Sequence, residues 1–239
     1  MKTFVIGDIH GAYKALLQCL ERSKFDYEKD TLICLGDVAD GWSEVPECID
    51  ELMKIKNLIY ILGNHDIWFR DWFETGAQPL IWTEQGGQAT LDAYIKRRPD
   101  CWKEHEEFIK KGHYKYIDTE NRIFVHGGFL RGVEIDSQTW QTFVWDRSLA
   151  EKVPCGYDNP HFKIREFKEV FLGHTPVNSF PSFQTKYNIP LNTPINAGNV
   201  WLLDTGGGWE GKVTIMDVDT HEYWQSDICA DLYPNEHGR

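Results

Sequence analysis

Along the first 66 residues, short apolar runs alternate with segments of helical spacing. "TFVIG" (3–7), "TLICLG" (31–36) and "LIYILG" (58–63) read as buried strands. "AYKALLQCLERS" (12–23) and "EVPECIDELMKI" (44–55) place apolar residues at helical intervals. Strand and helix in alternation predict a largely parallel sheet with crossover helices. Residues 67–112 change character, becoming rich in Trp, Lys and Glu, and "TLDAYIKRRPDCWKEHEEFIKKG" (90–112) is helix-like. Strand patterning returns in "HYKYID" (113–118) and "RIFVHG" (122–127), joined by the turn-like "TEN", and again in "EVFLGH" (169–174). The stretch 199–227 predicts antiparallel strands with Gly-rich and Asp-Thr turns. The expected organisation is one domain over 1–239, with a helical, cap-like insertion at about 67–118 over one edge of a mixed sheet.

Five of the predicted strands end in glycine plus metal-competent side chains. The blocks are "GDIHG" (7–11), "GDVADG" (36–41), "GNHD" (63–66), "VHGG" (125–128) and "GHTP" (173–176). In open α/β sheets, polar groups released beyond the carboxyl ends of the strands converge on one place. Glycine lets the backbone turn sharply there. Any one block is a weak signal, since capping acids and satisfied core histidines would explain it alone. Five in register point to a shared metal site.

The candidate ligands are Asp8, His10, Asp37, Asn64, His126 and His174, an oxygen and nitrogen set without thiolate. Imidazole with carboxylate suits Mn, Fe or Zn better than a purely Mg or Ca site. Six side chains fit two divalent ions about 3.5–4 Å apart, bridged by one carboxylate. Mn is the first expectation, with Fe or Zn as alternatives.

In this order the five blocks resemble the calcineurin-like metallophosphoesterases. Within that family they are most similar to the bacterial and phage-type serine/threonine phosphatases and the symmetrical dinucleoside tetraphosphatases. The resemblance spans Gly7 to about Gly207. It implies a mixed α/β fold, a central β-sandwich flanked by helices in four layers, αββα. It implies that Asp8 and His10 bind a first metal, that Asp37 bridges, and that Asn64, His126 and His174 bind a second. His65 would be the general acid, oriented by Asp40, and Asn64 would also touch substrate. The activity implied is hydrolysis of phosphate esters by a metal-bridging hydroxide. A serine/threonine-type protein phosphatase is the first reading, and a symmetrical dinucleoside tetraphosphatase or other nucleotide phosphoesterase the second. A non-catalytic module holding metals structurally is a third, opposed by the intact His65 and Asp40, which coordination does not need.

One departure from the family pattern stands out. After Asp40 the family carries an arginine expected to grip phosphate, and this chain carries Gly41. Arg147 in "FVWDRSL" resembles the family's later phosphate-contacting arginine and is the expected substrate-binding partner of Asn64. Arg131 and Arg70 are further candidates to compensate. Asp66 stands where the family has Glu, and a helix-start acid explains it. Trp42 and the group Trp68, Phe69, Trp72 and Phe73 read as packing residues. His105, His113, His161, His221 and His237 read as surface or ordinary core residues. "DTGGGWEG" (204–211) reads as a turn whose glycines bend near the site.

Composition narrows the partners. The chain has 239 residues, 41% of them hydrophobic, with 25 basic and 37 acidic side chains, a net charge of −12. It lacks the basic footprint that duplex nucleic acid requires. A phosphorylated protein or small phosphoester remains compatible, because a bound metal reverses the local field. No apolar run reaches the roughly 18 residues of a membrane helix. The sequence enters a strand-like run at once, without a signal peptide, and none of its six cysteines forms a Cys-x-x-Cys pair. These features predict reduced thiols in the cytoplasm.

Overall fold

The computed structural model describes residues 1–97 and 101–239. Its first sheet is built from the alternation in the sequence. Strands β1 (Thr3–Ile6), β2 (Thr31–Cys34) and β3 (Asn57–Tyr60) pair in parallel, and helices α1 (Tyr13–Arg22) and α2 (Val45–Met53) are the crossovers. Each strand is four residues long, and its polar block begins within three residues of its end.

The segment after β3 folds as helix α3 (Asn64–Thr75), the short turn α4 (Leu80–Trp82), α5 (Gln88–Lys96) and α6 (Trp102–Lys110), over much of the range expected as an insertion. The single helix-like segment expected over 90–112 is therefore two helices. Its middle, 98–100, lies outside the described residues. Tyr60 of β3 stacks on Phe108 of α6 at 4.9 Å. Phe69, Trp72, Trp82 and Tyr94 fill the interior of the insertion and are buried.

The second sheet starts with β4 (Lys115–Ile117) and β5 (Arg122–Val125), the two strands expected on either side of the "TEN" turn, which pair as an antiparallel hairpin. Helices α7 (Trp140–Trp145) and α8 (Val153–Gly156) precede β6 (Glu169–Leu172), which pairs with β5 in parallel. Helix α9 (Pro181–Tyr187) leads to the antiparallel pair β7 (Ile195–Ala197) and β8 (Val200–Leu202). The last strands, β9 (Thr214–Asp217) and β10 (Tyr223–Gln225), form a hairpin that returns to the first sheet, β9 lying antiparallel to β1. Helix α10 (Cys229–Leu232) follows.

The sheet orders are β10-β9-β1-β2-β3 and β4-β5-β6-β8-β7. Between the sheets lies a core of Val5, Ile33, Leu35, Ile61, Phe124, Phe171, Leu203, Met216 and Val218. Each sheet packs its other face on helices, through two separate apolar clusters. The result is the expected αββα arrangement. Side chains alternate along a strand, and here both faces are covered, so the strands read as continuous apolar runs. One expectation needs refining. β8 lies in the segment read as antiparallel, yet it pairs with β6 in parallel as well as with β7 in antiparallel fashion. Among the described residues, no helix is long and apolar enough to cross a membrane.

Candidate metal centre

The parallel strands of both sheets deliver their carboxyl ends to one edge of the sandwich. There the blocks after β1, β2, β3, β5 and β6 meet. Asp8, His10 and Asp37 bring ligand atoms within 4.8 Å of one another, and so do Asp37, His126 and His174. Asp37 belongs to both groups, the position a bridging carboxylate would take. Asn64 joins the second group, its Oδ1 lying 3.2 Å from Nε2 of His126. All six side chains are buried.

The backbone is distorted to present them. His10, Asp37, Asp40 and His174 all have positive φ, between 49° and 69°. A side-chain-bearing residue in that region costs about 1–3 kcal/mol, and such strain persists where the surroundings over-determine it. Glycines supply the clearance. A Cβ on Gly63 would collide with the carboxylate of Asp37, and one on Gly173 with that of Asp8. Asp66 does more than start a helix. Its Oδ1 accepts from the N–H groups of Val38 and Ala39 at 3.0 and 3.1 Å, and its Oδ2 from Gly63 at 2.9 Å, tying two of the blocks together. Burial pushes its carboxyl up to about 7.

The tautomers follow from the partners. Nδ1 of His126 lies 2.8 Å from the carbonyl of Leu35, and Nδ1 of His10 lies 3.1 Å from that of Ala39. A carbonyl only accepts, so each Nδ1 carries the proton and each Nε2 turns inward as a potential ligand. Nε2 of His10 is 3.6 Å from Asp37 Oδ2 and 3.9 Å from Asp8 Oδ2.

Electrostatics show what is needed here. Burial raises the carboxyl of Asp8 well above its usual range, with Asp204 adding repulsion. Burial works upward on Asp37 most strongly of all, but His126, His65 and His10 together outweigh it and hold Asp37 well below. Burial would lower His126, yet Asp37 and Asp8 hold it up to about 9. Asp37 Oδ2 and His174 Nε2 are buried and lack hydrogen-bond partners. Buried polar atoms are otherwise nearly always paired. These orphans and the mixed donor set fit metal ions.

Beside the ligands, His65 Nδ1 lies 2.7 Å from Asp40 Oδ2. The same oxygen accepts from Trp82 Nε1 at 2.7 Å, and Asp40 Oδ1 accepts from the Thr90 hydroxyl at 2.7 Å. Burial pulls His65 down to about 3 and pushes Asp40 up, the latter against its Thr90 and Trp82 donors. Nε2 of His65 is buried and unpartnered. Trp82 and Thr90 were not legible in the sequence, since they come from the insertion.

The family model of the calcineurin-like phosphoesterases matches residues 1–194. The chain belongs to the calcineurin-like phosphoesterases. Among curated members of the family, the symmetrical bis(5'-nucleosyl)-tetraphosphatase of Dechloromonas aromatica (strain RCB) is 32% identical over 186 residues, 74% of this chain and 58% of that relative. The serine/threonine-protein phosphatase 2 of Salmonella typhimurium (strain LT2) is 30% identical over 224 residues, 90% of this chain and 92% of that relative. The chain thus spans little more than half of the Dechloromonas tetraphosphatase, and 54% of one from Coxiella burnetii. The solved structure of a protein serine/threonine phosphatase from Saccharomyces cerevisiae shares the fold, with a TM-score of 0.57 at 13% identity, covering 95% of this chain and 79% of that one.

The arginine candidates separate in the structure. Arg147 lines a cavity of about 800 Å³ together with His174 and Trp209, and its Nη1 donates to the carbonyl of His174 at 2.7 Å. Arg70 is turned to the Tyr114 hydroxyl at 3.1 Å, and Arg131 is exposed. Neither lines that cavity. Arg239, which no sequence signal marked, does line it and reaches His10, with Nη1 donating to Nε2 at 3.2 Å.

The aromatic residues are mostly packing, as expected. Trp42 is buried, stacks on Tyr233 at 5.0 Å and donates to the Gly207 carbonyl at 2.7 Å. Trp68 differs, standing edge-on to His65 at 5.1 Å and to Trp145 at 5.2 Å. Outside the five blocks, His105 is a buried residue bonded to Tyr94 and Asp50. His113, His161 and His237 are exposed, and His221 is half-buried. The 204–211 turn does bend at the site, with Gly207 packed on the backbone of Asp8 and Gly208 on the ring of His10.

Proposed function

We propose that the chain is a phosphomonoesterase dependent on two divalent metal ions, acting on phosphoserine and phosphothreonine in proteins. The convergence of two buried ligand groups on the shared Asp37, beside the unpartnered Nε2 of His65, carries this reading. Asp8, His10 and Asp37 would hold one ion, and Asp37, Asn64, His126 and His174 the other. Mn suits these ligands first, with Fe or Zn as alternatives. When bound, such ions supply a nucleophile from water at neutral pH and offset charge on the phosphoryl oxygens.

The remaining work falls to the chain itself. His65 is aimed by Asp40 so that Nε2 faces the site, where it can give a proton to the departing oxygen. The role needs a doubly protonated imidazole; burial opposes that, holding His65 down at about 3, and an ionised Asp40 at 2.7 Å would work in the other direction. Asn64, at the start of α3, and Arg147, at the rim of the cavity, orient the ester. The peptide reading is supported by the near full-length likeness to the Salmonella protein phosphatase. A dinucleotide tetraphosphate is the second reading, supported by the exposed Trp209 in the cavity wall and the exposed Trp145 beside His174.

The test is a rate comparison on Mn-loaded protein with phosphoserine and phosphothreonine peptides and diadenosine tetraphosphate. The peptides are expected to lead in kcat/KM by about 100-fold, or ~2.7 kcal/mol of differential transition-state binding. A lead for the dinucleotide would establish the second reading. Full metal-dependent turnover in both Asp37→Asn and His126→Ala would overturn the mechanism.

A further inference from the structure

Gly41 leaves the polar block after β2 without a side chain at the position where an arginine was expected, and its φ of 95° disfavours one. Another arginine fills that space. The aliphatic stem of Arg239 runs past three glycines. A Cβ built on Gly41 or Gly86 would lie 3.5 or 3.1 Å from its Cγ, and one on Gly208 would lie 3.2 Å from its Cδ. The guanidinium then sits over the ring of Trp209, 5.3 Å from its centroid, at the edge of the metal centre.

The segment that carries Arg239 is anchored. Tyr233 is buried against Trp42. Glu236 accepts from the Ser43 backbone and hydroxyl at 3.0 and 2.8 Å, and the Arg239 backbone N–H donates to Gly208 at 2.9 Å. The side chain is therefore held in place from both ends of its approach.

Two observations point to an anion as its missing partner. Among the described residues, the arginines in ion pairs are Arg22, Arg70, Arg97 and Arg122. Arg131, Arg147, Arg165 and Arg239 have none; Arg131 and Arg165 are exposed, whereas Arg147 and Arg239 line the cavity, in a chain with 37 acidic side chains. In addition, Nε of Arg239 is buried without a hydrogen-bond partner, although buried donors are nearly always paired. Its one side-chain bond goes to Nε2 of His10, the nitrogen a metal would take. Were His10 to hold a metal through Nε2, that acceptor would be taken and the planar fork of donors left for the oxygens of a phosphoryl group.

We propose that Arg239 is the guanidinium that grips the phosphoryl group of the substrate, in place of one at position 41, with Arg147 lining the same cavity. This rests on the phosphoesterase reading but does not depend on which ester is cleaved. The experiment compares the parent chain with Arg239→Ala and Arg239→Lys, all Mn-loaded. Binding of inorganic phosphate is followed by calorimetry, alongside bound Mn, melting temperature and steady-state rates.

Arg239→Ala is expected to weaken phosphate binding and raise KM by about tenfold or more, with kcat less affected and bound Mn unchanged. Arg239→Lys is expected to recover part of the affinity, keeping the charge without the fork. Phosphate affinity in Arg239→Ala within about twofold of the parent would overturn the proposal, as would loss of Mn or the absence of phosphate binding to the parent. If the parent binds phosphate and Arg239→Ala loses it while no ester is turned over, this assignment stands and the proposed reaction falls.

Discussion

Nδ1 of His65 and Oδ2 of Asp40 lie 2.7 Å apart, and both side chains are fully buried, close to the candidate metal ligands but outside those groups. A carboxylate outside the two candidate ligand groups thus has its oxygens directed at a histidine, a tryptophan and a threonine. That arrangement fits proton delivery better than a purely structural metal site, which would need neither residue.

Asp40→Asn and His65→Asn should lower kcat by about 10²–10⁴ on phosphopeptides while bound metal stays at the parental level. The loss should shrink with p-nitrophenyl phosphate, whose departing oxygen needs little protonation. Equal losses on both substrates would show that His65 is not the acid. Steady-state rates and metal analysis on the same preparations decide it.

Trp82→Phe keeps an aromatic ring in the interior of the insertion but removes the N–H that bonds Asp40. Leaving that carboxylate oxygen one donor short should destabilise the chain by about 1–3 kcal/mol. Because the same oxygen contacts His65, kcat should fall several-fold as well. Chemical denaturation together with rates would test this, and an unchanged kcat would place Trp82 in packing alone.

Gly63→Ala tests the clearance beside Asp37. The new Cβ would come within 2.5 Å of the Asp37 backbone nitrogen and collide with its carboxylate. Overpacking of this kind costs about 1–3 kcal/mol, and here it also displaces the carboxylate shared by both ligand groups. The expected outcome is reduced metal stoichiometry together with a lower melting temperature.

Removing metal should itself destabilise the chain, because the apo form keeps Asp8, Asp37 and Asp204 buried close together. A ligand that binds only the folded state stabilises it by about 2.7 kcal/mol at 100 times its Kd. Adding Mn after chelation should raise the melting temperature in a concentration-dependent way, and no shift would argue against the site.

Away from the site, Glu51 sets a pH dependence of stability. Burial works upward on its carboxyl, but the Lys54 ammonium at 2.6 Å and the Tyr27 hydroxyl at 2.6 Å outweigh it, so it lies below its ordinary value. A carboxyl depressed on folding stabilises the chain above its unfolded pKa, near 4.3, and loses that contribution as pH falls through the folded value. Glu51→Gln should therefore cost about 1 kcal/mol at pH 7, with the difference closing below about pH 4. Denaturation curves at both pH values give the comparison.

Much of the metal centre is legible in the sequence because its signals are local. An apolar run of strand length followed by Gly and Asp or His states both the element and what it releases, as at Ile6 to Asp8 or Leu172 to His174. In parallel strands, the carboxyl ends necessarily gather at one edge. The tertiary structure alone decided what surrounds these ligands. Trp82 and Thr90 reach Asp40 across 42 and 50 residues, and Arg239 reaches His10 across 229. No periodicity or turn residue encodes those meetings. They follow from how the insertion packs on α2 and how the segment after α10 lies along Gly41, Gly86 and Gly208. Long-range packing places side chains that, read one by one, look like any other tryptophan, threonine or arginine.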